Sequence, residues 1–212
     1  MTLQMGAVVA FVTCVSLAQT ASDTLTLPEL AAKSGGRPVT LATTADPPEL
    51  TLDELSTRAE LVVVGKLVNP RAYMTVDQTD VYTDYQLQLV TTVSDRVAIS
   101  SAKQVGQLSP VTVTLHGGTL LVNGVKVTVR GGGPTKWKPE ADLLLFLRKS
   151  KSTEKQNNFV LVGSATGLYE VTSAGLKSRV AGSRVHQEID GAPVEQIVQR
   201  VKTVAAEQTL KK

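Results

Sequence analysis

Cysteine is almost missing from this chain: Cys14 is the only one in 212 residues. An internal disulfide framework and a cysteine-rich zinc centre are both excluded. Histidine is nearly as scarce, with His116 and His186 far apart in the sequence. A zinc site needs three or four ligands at close spacing, and two isolated histidines do not supply it. His116 falls on the polar side of its strand and His186 in a polar stretch before the last helix, so both read as surface residues. Aromatic residues make up only 4% of the chain, and the formal net charge is only +3. Few rings are available for base stacking. The charge is weak beside the roughly 6 to 10 phosphate contacts of a DNA-binding protein. No nucleic-acid partner is predicted.

Catalytic patterns are missing too. There is no Gly-x-Ser-x-Gly elbow beside a histidine. Asp77, Asp80 and Asp84 are close in sequence but lack the glycine and terminal glutamate of a calcium loop, so they read as the solvated lip of a loop. Gly131-Gly132-Gly133-Pro134-Thr135-Lys136 lacks the Gly-Lys-Ser/Thr of a phosphate loop, and Pro134 removes a backbone donor. Nothing singles out two acids among the 19 for glycoside hydrolysis. No metal, cofactor or catalytic residue is assigned.

What is present begins with an address. Gly6 to Ala18 is uncharged and mostly apolar, and Ser16-Leu17-Ala18 has the small-x-small form of a signal-peptidase site. Residues 1–18 therefore read as a secretory signal, although no Lys or Arg precedes the apolar run; a buried N-terminal strand or helix is the alternative. Thr13 before Cys14 does not fit a lipid-attachment box. The expected location is exported, periplasmic or extracellular, with no membrane-spanning segment in the mature chain. Residues 19–48, with Ser34-Gly35-Gly36-Arg37-Pro38 and Asp46-Pro47-Pro48, predict a flexible linker.

Residues 49–190 predict a β-barrel domain. Thr51-Leu52-Asp53-Glu54 is a capping box opening a short helix whose Leu52, Leu55 and Ala59 share one face. Short strands follow, separated by Gly and Pro. Leu61 to Val64 and Leu143 to Leu147 are apolar on both faces and should be central. Between Tyr85 and Val93, Tyr85, Leu87, Leu89 and Val93 should share the dry face. Val111 to Leu115 and Val125 to Val129 alternate in the same way. Val122-Asn123-Gly124-Val125 predicts a type I′ hairpin pairing Val122 with Val125 and Leu120 with Val127. Residues 191–212 predict an amphipathic helix packed on the barrel, with Val194, Ile197, Val198, Val201, Val204 and Ala205 in one stripe.

The fold class is thus mainly β: an OB-like, partly closed, five- to six-stranded antiparallel barrel with a short N-terminal helix and a C-terminal helix. The segment Lys136-Trp137-Lys138 holds the only Trp between two cations, and these three residues are the predicted binding anchors. A local cap on the barrel end is the alternative role for Trp137. Arg148, Lys149, Lys151 and Lys155 read as a solvated basic turn.

Ala59 to Leu67, Tyr82-Thr83-Asp84-Tyr85, the Gly117-Gly118 pair, the Gly131-Gly132-Gly133-Pro134 loop and Leu143 to Leu147 together resemble uncharacterised bacterial exported β-barrel proteins. Their strand order is similar to the OB-like barrel of netrin-type modules and tissue metalloproteinase inhibitors. The resemblance spans about residues 50 to 175 and implies the fold. The animal inhibitors chelate the protease metal through an N-terminal cysteine, which the mature chain lacks, so no inhibitory residue carries over. The expected function is a non-catalytic binding or interaction module for a protein or glycan. The alternatives are a hydrolase with unrecognised carboxylates or a structural accessory of an envelope assembly.

Overall fold

A computed structural model describes residues 25–42, 49–97, 111–131, 140–151, 158–178, 180 and 183–210. The expected signal, residues 1–18, lies outside them.

The chain order is α1 (Leu27–Lys33), β1 (Val39–Ala42), α2 (Leu52–Arg58), β2 (Leu61–Met74), β3 (Val81–Asp95), β4 (Thr112–His116), β5 (Gly118–Val122), β6 (Val125–Arg130), β7 (Leu143–Lys149) and β8 (Asn158–Leu161). A 3-10 turn (Ser164–Gly167), β9 (Leu168–Thr172), β10 (Gly175–Ser178), α3 (Arg184–Ile189) and α4 (Val194–Leu210) complete it.

Five strands close a barrel in the order β7-β2-β3-β4-β8, with β8 returning to β7. The expected OB-like barrel is therefore present, and its closure is complete. One seam is parallel, β4 against β8, with Val113 beside Phe159. Alternation predicts the dry faces but not strand direction, which is set by the connections. β9 and β10 extend the sheet beyond β7.

Leu143 to Leu147 are all 0% exposed because the strand is covered on both sides. Leu143, Leu145 and Leu147 point inward with Leu61, Val63, Leu67, Leu87, Val113 and Phe159. Leu144 and Phe146 point outward and are covered by helices, in a cluster with Leu55, Tyr169, Ile189, Ile197 and Val201. Burying both faces is why no polar alternation shows in this strand. Gly65 permits a close backbone approach: a Cβ there would meet the Gln88 carbonyl at 2.5 Å.

The capping box at α2 forms as the sequence predicts: Thr51 Oγ1 accepts from the Glu54 amide at 3.2 Å, and Glu54 Oε2 accepts from the Thr51 amide at 2.9 Å. The α2 N-terminus also gives its Leu52 amide to Glu188 of α3, at 2.9 Å. α4 packs through Ile197, Val201 and Val204, the middle of the predicted stripe. Its Arg200 forks onto Asp53 of α2, with Nε donating to Oδ1 at 2.8 Å.

Three expectations need correction. Within residues 19–48, the described part is folded rather than a linker. Thr26 and Glu29 form a second capping box, Pro28 sits in the first turn of α1 where a missing N–H costs nothing, and Leu27 and Ala31 are buried. β1 then pairs in parallel with β6, Leu41 beside Val129. Composition hides this because one turn of contact and one short edge strand need few apolar residues.

The second correction concerns the hairpin. Its register is as predicted, Val122 with Val125 and Leu120 with Val127, and Asn123 and Gly124 both have positive φ, 50° and 79°. It is not a barrel hairpin, however. It forms a separate three-stranded sheet in the order β1-β6-β5. Gly117, at φ 100°, turns the chain out of β4 and into it.

Third, Val93 does not share the face of Leu87 and Leu89. The β2–β3 register slips three times, twice between Leu89 and Ser94, where neither Val90 nor Val93 has a partner on β2. Each slip is a bulge, which changes the alternation beyond it. Val93 is redirected into the cluster under the helices, while Leu87 and Leu89 stay inside the barrel. No helix among the described residues is long and apolar enough to cross a membrane.

Candidate functional site

The outer face of the barrel over the first half of β3, β4 and β8 carries mostly half-buried polar residues. Outward residues of these strands alternate with the core, so cross-strand register decides which polar groups meet. Tyr82 lies beside His116 and Asp84 beside Thr114. Thr114 pairs with Val160, and Val160 with Arg148 of β7. The result is a polar belt crossing four strands.

Hydrogen bonds lock this belt in place. Asp80, at the end of the β2–β3 loop, puts Oδ2 2.6 Å from His116 Nε2 and Oδ1 2.8 Å from the Val81 amide. Its carboxylate is thus held by both oxygens. Thr114 Oγ1 donates to Asp84 Oδ1 at 2.6 Å and accepts from Asn158 Nδ2 at 2.9 Å. Tyr82 stacks on Tyr73 at 6.3 Å and leans on the His116 ring at 5.0 Å. Burial pushes the Tyr82 phenol above its ordinary pKa, and the Asp80 charge adds to this.

A groove of about 480 Å³ runs along the belt, lined by Tyr82, Thr114, His116, Arg148, Gly163 and Ser164 among others. This volume suits a ligand of a few rings. Arg148 is half-buried in the lining, and among the described residues no hydrogen bond or ion pair satisfies its guanidinium. Ser164 has φ 56°, an uncommon left-handed conformation for a non-glycine residue.

The residues read from sequence fare differently. Lys136, Trp137 and Lys138 lie outside the described residues. Their segment departs at Gly131, which is packed so closely on His116 that a Cβ would meet the His116 carbonyl at 2.2 Å. His116, expected to be a plain surface residue, is clasped by Asp80, and its side chain is only 27% exposed. Asp80 is a structural partner rather than a free loop acid. Arg148 is not part of a merely solvated turn. The signal for these residues was present as outward alternation, but register was needed to bring them together. His186 lies in α3, and its amide is capped by Ser183 at 3.2 Å. Among the described residues, no group of three His, Cys, Asp or Glu could hold a metal ion.

Neither protein-family models nor curated proteins give a match to this chain.

Proposed function

We propose that this chain is an exported, non-catalytic binding module whose ligand is a glycan. The groove over β3, β4 and β8 carries the reading, because its polar groups are fixed before any ligand arrives. A site locked by its own hydrogen bonds spends little ordering free energy on binding. The same outer face, on the second and third barrel strands, serves OB-type barrels for oligonucleotides and oligosaccharides; this part of the reading is an analogy of fold. The small net charge and the presence of one cation, Arg148, in the described groove lining favour sugars over nucleic acid. A peptide ligand added as a strand has no place here, since β3, β4 and β8 are paired on both sides. Tyr82 lines the groove between the Tyr73 and His116 rings, and this row of rings gives a ligand an apolar edge to lie against.

The hydrolase alternative has one observation in its favour. A His–Asp pair, His116 with Asp80, shares the groove with the strained Ser164. No hydrogen bond joins Ser164 to His116 in the described structure, so the contact between nucleophile and base that acyl transfer needs is missing.

Titration calorimetry against a panel of neutral and acidic oligosaccharides tests the binding reading. Saturable binding by the parent, lost in Tyr82→Ala with unfolding temperature retained, is the expected result. Absence of binding across the panel, or equal binding by Tyr82→Ala, refutes it. Turnover of an ester or glycoside that Ser164→Ala abolishes would favour the hydrolase instead.

A further inference from the structure

We infer that Arg148 makes the groove selective for an acidic sugar, one that presents a carboxylate. The inference rests on the glycan-binding reading above and adds the chemical class of the ligand. Its basis is an imbalance of partners. The other charged side chains of the belt are already engaged, Asp80 with His116 and Asp84 with Thr114, which in turn accepts from Asn158. Arg148 lines the same groove, is half-buried, and has no partner among the described residues.

A partly desolvated guanidinium without a counterion is unfavourable, and five N–H donors are left without fixed acceptors. Elsewhere in this molecule an arginine in reach of a carboxylate takes it as a fork, as Arg200 does with Asp53. The planar fork fits the two oxygens of a carboxylate with two parallel bonds. One guanidinium in the groove also complements a single negative charge. The position is fixed from below, because Arg148 is on β7 opposite Val160, which in turn pairs with Thr114 on β4. The cation therefore stands across the belt from the Tyr82 and His116 rings. A sugar lying against the edge of Tyr82 places its substituents over the strands between, and an acid group directed toward β7 meets Arg148.

The test compares three ligands of equal length: a uronic-acid tetrasaccharide, its methyl ester, and a neutral hexose tetrasaccharide. Each is titrated into the parent protein, Arg148→Gln and Arg148→Lys, with circular dichroism confirming the fold of each variant. The parent should bind the uronate about tenfold tighter than the ester, the difference expected for a charge-assisted bond. Arg148→Gln should bind the uronate and its ester with equal affinity. Arg148→Lys, which keeps the charge without the fork, should recover only part of it. Equal affinity of the parent for uronate and ester overturns the inference but leaves the glycan reading standing, as does a preference that survives in Arg148→Gln. Failure of all three sugars to bind overturns both.

Discussion

Phe146→Ala probes how the helical layer is held to the barrel. Phe146 is 0% exposed and points away from the barrel interior. Its ring meets Tyr169 edge-on, with centroids 6.2 Å apart at 82°. Around it are Leu55 of α2, Ile189 of α3, and Ile197 and Val201 of α4. Truncation removes the transfer free energy of the ring and leaves a cavity bounded by elements from four parts of the chain. Such a site collapses poorly, so the cost should fall at about 3 to 5 kcal/mol. Domains are stable by only about 5 to 15 kcal/mol, which makes this a large fraction of the total. At this chain length each kcal/mol moves the midpoint by roughly 2 to 4 °C, so a fall of about 6 to 20 °C is expected. Urea unfolding followed by far-ultraviolet circular dichroism gives the free energy, and calorimetry gives the midpoint. Leu121→Ala serves as the control, because Leu121 is 77% exposed and should change stability by less than about 0.5 kcal/mol. Ile197→Ala should cost less in the Phe146→Ala background than alone, because both side chains share one cluster. A Phe146→Ala loss below about 1 kcal/mol would refute the packing of the helices on this face.

Two further outcomes follow from the local structure. Thr51→Ala removes the side-chain acceptor of the α2 cap and should lower stability by about 1 kcal/mol in the same urea assay; no measurable loss would mean that the Glu188 contact to Leu52 suffices to hold the helix start. Alkaline titration should show late tyrosine ionisation: burial raises the phenols of Tyr82, Tyr85 and Tyr169 above their ordinary value. Their folded pKa values exceed the unfolded ones, so the stability they contribute is complete below the unfolded value and is lost as pH rises toward the folded values. Ultraviolet difference absorbance that shows all four tyrosines ionising together in the folded protein, at the free-tyrosine pH, would contradict the described burial.

Much of the fold was legible because it depends on patterns that a single strand or helix carries. The Leu143 to Leu147 run, the Thr51 cap, the Asn123-Gly124 turn and the α4 stripe each need only neighbouring residues to be read. The candidate site was not legible for the opposite reason. Asp80, Tyr82, Thr114, His116 and Arg148 come from a loop and three strands, and in sequence each looks like an ordinary solvent-facing residue. Val93 was misplaced because a bulge leaves no mark in the alternation that precedes it. α1 and β1 were missed because a proline-bearing, polar stretch can still fold once a neighbouring sheet offers an edge and a buried patch.

The sequence by itself determined the class of the molecule, the positions of those strands and helices that carry a clear period or cap, and the scarcity of catalytic groups, since composition, periodicity and capping are local properties. Tertiary structure alone decided that β8 returns to β7 and closes the barrel, that the Asn123-Gly124 hairpin leaves it for a second sheet, and that Arg148 stands across from Tyr82 and His116 with no partner among the described residues. Those outcomes depend on which strands become neighbours and in what register. A side-chain period of two fixes the face on which a residue lies, but leaves open what it will meet there.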